Sequence, residues 1–342
     1  MFTPKNSNNF MLIVVAAMLG LHFIIAIAVV FIYVVQYTIN PGAATSDLVD
    51  IIPLWALVAL PQVFTFGIPS AIYLIIKRKN IKEILPMRWL GWKNVLMIIG
   101  MTLAIQPLGM LINLVSQFVF PNVIGETIDG IGQEGGLLLM LLIIGVLPSI
   151  FEEVAFRGMG FVGFKRVKIH KAALINGMIF GMMHMNMNQF FYTFFLGMVF
   201  CYFMYYTKSI WAPILAHFVL NGTQSVLAYL VLNIDAEWLE YADSATYSDT
   251  AGMISAAIFF GFLALVFTGA FIAIFILFRQ YNTKRNDAEG IITDTSILAE
   301  GEVPPKAFTG AVWGIIGIFA FMMALTYLLP VLMDNLGVAA GL

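Results

Sequence analysis

Ser149-Ile150-Phe151-Glu152-Glu153-Val154-Ala155-Phe156-Arg157-Gly158 sets two carboxylates and a guanidinium inside a run that otherwise reads as a membrane-spanning helix. A charge at the bilayer centre costs at least ~2.5–3.5 kcal/mol on insertion scales, so three within six residues need a partner or a function. None of the other apolar segments carries Asp, Glu, Lys or Arg. At 100° per residue, Glu153 and Arg157 share a helix face and can neutralise each other. Glu152 points well away from Arg157 and is left free for chemistry. The competing reading is an ion-pair cluster whose work is only to lock helix packing.

Outward from that stretch, nine apolar segments mark the chain: about 10–37, 51–76, 95–120, 136–164, 172–185, 190–206, 210–232, 251–278 and 309–332. Most suit a span of ~20 residues. With 61% hydrophobic and 11% charged residues, the composition is that of a polytopic membrane protein. The expected fold is therefore all-α, a transmembrane helical bundle of about nine helices, with the polar residues that could carry chemistry in helices 4–7. The fifth and sixth segments are short, and the hairpin Asn186-Met187-Asn188-Gln189 between them is expected to end inside the membrane thickness. The first segment is too long for a signal-peptide core and is expected to be a retained helix.

Every Lys and Arg except Arg157 falls in alternate connections. These are Lys5; Lys77 to Lys93; Lys165 to Lys171; Lys208; and Arg279 to Lys306. The acids Asp235, Glu237, Glu240, Asp243 and Asp249 fall on the opposite side. The distribution places the N-terminus in the cytoplasm and the C-terminus outside. The absence of targeting signals is compatible with a bacterial plasma membrane. The expected parts are three N-terminal helices (1–135), a core (136–226), an outer acidic loop with helix 8 (227–278), a cytoplasmic linker (279–308) and a last helix (309–342). Gly310 and Gly314 in the last helix have small-xxx-small spacing. The single Cys201 permits no intramolecular disulfide, and the basic loops are explained by topology rather than by nucleic acid.

Of four histidines, His170 lies among loop lysines and reads as solvated, and His22 in the first helix reads as a structural histidine. His184 ends a segment, and His217 stands one turn before Asn221 in another. At ~1.5 Å per residue, Glu152 and His184 lie roughly 18–20 Å from the basic side, with His217 and Asn221 at roughly 11 and 17 Å. Four polar side chains on three helices thus share a level, as one site requires. A buried carboxylate beside an imidazole can hold and deprotonate water, and an imidazole with an amide can stabilise an oxyanion. The same residues also suit zinc, with Glu152, His184 and His217 as candidate ligands, and the sequence leaves both chemistries open.

Glu152-Glu153-x-x-x-Arg157, Phe180-x-x-x-His184 and His217-x-x-x-Asn221, in that order, resemble the three motifs of the CAAX protease and bacteriocin-processing family. The resemblance covers roughly residues 136–226 and implies an intramembrane endopeptidase related to the type II CAAX prenyl protease. It implies that Glu152 activates water with help from His184, that His217 and Asn221 stabilise the oxyanion, and that Glu153, Arg157 and Phe180 support the site. The family has been described both as metallo- and as glutamate-type, which leaves zinc open. The implied partners are the lipid bilayer and a membrane-embedded or lipidated peptide or protein substrate. The rival functions are a non-catalytic immunity or scaffold protein and a proton-coupled transporter. A transporter would be favoured by inverted repeats with matching broken helices, but Pro61, Pro69 and Pro107 have no counterpart in the second half.

Overall fold

A computed structural model describes residues 2–39, 53–122, 124–233, 250–297, 301–328 and 330. The acidic loop and the end of the ninth apolar segment lie outside the described residues. Within them the chain is helical, with one isolated bridge between Met87 and Ser209. We number the helices α1 (Pro4–Ile39), α2 (Leu54–Ile76), α3 (Trp92–Gln117), α4 (Ile124–Val162), α5 (Ile169–Met182), α6 (Met187–Thr207), α7 (Trp211–Leu232), α8 (Thr250–Ala288) and α9 (Gly310–Leu328). The all-α polytopic bundle expected from composition is what the chain forms. Eight of these helices are long and apolar enough to cross a membrane among the described residues. The expected fifth span is the short α5, whose 14 residues reach about 21 Å at 1.5 Å each.

Side chains such as Leu265 (77% exposed) and Phe262 (65%) point outward from α8, which water would penalise and lipid tails do not. The interior is held by small residues and by paired polar groups. A Cβ on Gly177 would sit 2.8 Å from the Phe194 carbonyl, and one on Gly197 would sit 3.0 Å from the Cα of Gly177. These glycines bring α5 and α6 into backbone contact, as small residues do inside membranes. Asn94 of α3 and Asn282 of α8, both fully buried, exchange reciprocal amide hydrogen bonds at 3.1 and 2.7 Å.

Two helices run further than the apolar pattern suggested. The polar stretch read as a linker from Arg279 stays helical to Ala288, because Arg285 donates to the Trp89 and Leu90 carbonyls and Asn286 to that of Tyr206. Residues 124–135, glycine-rich and acidic, form a helical turn before the fourth apolar segment. Gly136, at φ 65°, breaks the path between the two parts. Glu134 at that break accepts from the Leu54 and Trp55 amides (2.7 and 3.1 Å) and so caps the first turn of α2.

The basic connections gather at one end of the bundle. Lys165 pairs with Glu83, Arg166 with Glu302, and Arg88 with Glu289, while Lys208 donates to the Thr293 carbonyl. His170 is exposed, as expected, and also hydrogen-bonds the Tyr202 hydroxyl. At the same end α1 is tied to α4 through Ser7, which donates to the Met159 carbonyl at 2.6 Å and accepts from the Gly163 amide at 3.0 Å.

Candidate active site

The site grows out of irregularities in α4. Leu141–Val146 and Val154–Met159 are π-helical, and the seven-residue α-helical turn Leu147–Glu153 between them carries Pro148 near its start. Wide turns of this kind commonly mark functional positions. Pro148 has no N–H to offer the Ile144 carbonyl four residues back. The Asn221 Nδ2 donates to that carbonyl at 2.9 Å. One N–H of the Asn221 amide is thus engaged by the backbone of α4, and a carboxamide has a second.

The two glutamates diverge as the helical spacing requires. Glu153 Oε1 accepts from Arg157 Nη1 at 2.9 Å and from His217 Nδ1 at 2.8 Å, and both Glu153 and Arg157 are fully buried. Arg157 Nη2 donates to the Gly197 carbonyl at 3.0 Å, which the close approach of α5 and α6 delivers. The guanidinium carbon also lies 4.5 Å from the Phe180 ring centroid. Glu152 makes none of these contacts. Its Oε1 accepts from Gln62 Nε2 of α2 at 2.8 Å.

Glu152 and His184 line one cavity of about 180 Å³, together with Gln62, Thr65, His22 and Gln189. His184 Nδ1 faces the Phe180 carbonyl at 2.9 Å and His22 Nδ1 that of Met18 at 2.8 Å. A carbonyl only accepts, so both Nδ1 atoms donate, and in the neutral rings Nε2 carries the lone pair. Gln62 Oε1 and Thr65 Oγ1 are buried in the cavity lining with no protein partner. Such orphaned atoms mark places where water or a substrate group belongs.

Phe180 is the spacer of the site. Its ring meets His184 edge-on at 5.2 Å and His217 at 6.0 Å, so it packs on His184 as the one-turn spacing implied. His217 and Asn221 do not line the Glu152 cavity; they approach α4 from α7, through Glu153 and Ile144 respectively.

Zinc was left open by the sequence. Among the described residues no three His, Cys, Asp or Glu side chains gather as a metal site. Glu152 and His184 line one cavity, and His217 lies outside its lining, with Nδ1 held by Glu153.

The first two helices carried no functional expectation, yet they supply Met18, His22, Gln62 and Thr65 to the cavity. Gln62 and Thr65 are one turn apart in an otherwise apolar run, next to Pro61. A single amide in a span was the available signal.

Residues 134–223 match the family model described as type II CAAX prenyl endopeptidase Rce1-like. Among curated proteins, the one named Putative membrane peptidase YdiL, from Bacillus subtilis (strain 168), is 31% identical over 84 residues. That match takes in 24% of this chain and 34% of the relative, so the chain covers about a third of the curated protein's length. No solved structure gives a significant match.

Proposed function

We propose that this chain, which through residues 134–223 belongs to the CAAX protease family, is an intramembrane endopeptidase in which Glu152 is the general base. The observation that carries the reading is the shared cavity. Glu152 is oriented by Gln62, His184 offers an unprotonated Nε2, and two buried polar atoms stand without partners beside them.

In this mechanism a water bound between Glu152 and His184 loses a proton to Glu152 and attacks the scissile carbonyl carbon. The carbonyl oxygen becomes an oxyanion; His217 and Asn221, which approach α4 from α7 outside the lining of that cavity, are the donors that the motif resemblance implies for it. Glu153 holds the His217 ring through Nδ1 and is itself held by Arg157. Collapse of the intermediate breaks the C–N bond. The proton held by Glu152 passes to the leaving amine, giving a carboxylate and an amine. The substrate class is a membrane-embedded or lipidated peptide or protein, entering from the side of the basic loops. In a bacterial plasma membrane those loops, and the N-terminus with them, face the cytoplasm and the C-terminus faces outward.

Glu152→Gln keeps the shape and removes the base. Peptide termini in membranes and culture fluid should include species made only by the wild type. Identical termini from the two proteins, with both complementing a deletion, would show that the cluster does not catalyse.

A further inference from the structure

A second polar cavity lies apart from the one that holds Glu152. It has a volume of about 240 Å³ and sits between α3, α6 and α7. Gln106, Asn113, Tyr192 and Gln224 line it, among apolar walls from Met110 and Leu220. Gln106 is only 7% exposed, and its Nε2 is buried without a protein partner. An amide N–H left unsatisfied inside a membrane span is costly, because lipid offers it no acceptor. Sequence supplies three carboxamides here although none of the three segments needs one to span a bilayer. The lining carries no charge, so it neither selects an ion nor fits a headgroup.

We propose that this cavity is a water store within the bundle and that it supplies the hydrolytic water to the Glu152 cavity. Apolar cavities stay dry, whereas a roomy cavity that offers each water two to four polar partners fills. Three amides and a phenol meet that condition, and the volume holds several waters. The connection to the catalytic cavity is a single hydrogen bond. Gln189, which lines the Glu152 cavity, donates Nε2 to the Tyr192 hydroxyl of the second cavity at 3.2 Å. A membrane hydrolase consumes one water per bond cleaved and cannot draw it from lipid, so a store one side chain away from the base solves a supply problem. The hydration of the cavity stands by itself; its role as a supply rests on the proposed proteolysis.

The test uses the full chain in lipid nanodiscs and water itself as the probe. Brief X-ray radiolysis generates hydroxyl radical from bound water, which labels the side chains beside it; mass spectrometry in ¹⁸O-water reads the label on Met110 and Tyr192. Both should be labelled in the wild type. Gly109 lines the cavity and a Cβ on it would meet nothing within 4 Å, so Gly109→Leu extends from open space and is the variant chosen to displace water. It should cut labelling of Met110 and Tyr192 at least fivefold while leaving the exposed Met87 unchanged. Gln106→Leu, which removes the orphaned amide, should act in the same direction. Absence of label on Met110 and Tyr192 in the wild type, or equal label in Gly109→Leu, overturns the water store. Where peptide release is measurable, Gly109→Leu should lower kcat and leave KM unchanged. Label lost with kcat unchanged refutes the supply role and keeps the hydration, and label present in a protein that cleaves nothing overturns the supply role through the proteolysis on which it rests.

Discussion

Arg157→Met is the sharpest test of how the core of the site is held. The substitution keeps an apolar stem of similar reach and deletes the guanidinium. Three contacts go: the 2.9 Å pair with Glu153, the 3.0 Å bond to the Gly197 carbonyl and the contact with the Phe180 ring. Both members of the pair are fully buried, and breaking a buried pair by removing one partner costs about 3–5 kcal/mol. Loss of the bond to the Gly197 carbonyl, which lies inside α6 and keeps its helical donor, adds about 1 kcal/mol. His217 remains as a partner for Glu153 and methionine recovers packing, which offsets part of the sum. The expected net loss is about 4 kcal/mol, read as a shift in reversible unfolding by SDS titration in mixed micelles. The double variant Glu153→Leu/Arg157→Met removes both charges, and well-packed apolar replacements of buried pairs are often neutral. It should therefore be more stable than Arg157→Met alone by at least about 2 kcal/mol, a coupling within the range seen for residues in contact. If Arg157→Met costs less than about 1 kcal/mol, or if the two single effects simply add, the pair does not hold the site and the division of labour between the glutamates fails.

Gln62→Leu removes a hydrogen bond to a carboxylate, worth about 1.5–3 kcal/mol. If that bond orients Glu152 for attack, kcat falls roughly ten- to hundredfold with KM little changed, and an unaltered kcat would show that Gln62 only fills space. Lys208, outside the spans, has its ammonium pushed down from 10.5 to about 8 by burial, against the opposing attraction of Asp294. Below pH 8 the folded protein carries a poorly solvated cation. The unfolded chain binds the extra proton between about pH 8 and 10.5, so this group makes stability rise with pH across that window. Lys208→Met should flatten the rise in unfolding midpoints measured from pH 7.5 to 9.5; an identical slope in the two proteins would contradict the burial.

The spans were legible because a bilayer imposes length and apolarity on each of them, and the nine apolar runs reappear as eight long helices and the short α5. The turn at 124–135 was not legible, since its glycines and acids read as a loop; its helicity depends on docking, with Glu134 reaching the start of α2. The extension of α8 beyond Arg279 was hidden for a related reason, because the polar residues that would leave a helix in isolation are consumed by α3 and α6. Within the site, the i,i+4 rule alone was enough to pair Glu153 with Arg157. No local rule could show that Gln62, 90 residues earlier, meets Glu152, or that His22 shares its cavity.

Asn221 shows most plainly why a motif underdetermines a site. Its spacing from His217 points to an amide beside an imidazole, which suits an oxyanion. The structure adds a second contact: Asn221 Nδ2 donates to the Ile144 carbonyl in the π-helical part of α4, one turn before Pro148. The two roles are compatible because a carboxamide has two N–H groups. The bond to Ile144 fixes the amide plane, so the second N–H points in one direction before any substrate arrives. A donor fixed in advance needs no reorganisation when charge develops, which is what makes such donors effective in catalysis. The irregular turn of α4 that presents the Ile144 carbonyl is thus what orients the amide, which the His217-x-x-x-Asn221 spacing alone could not show.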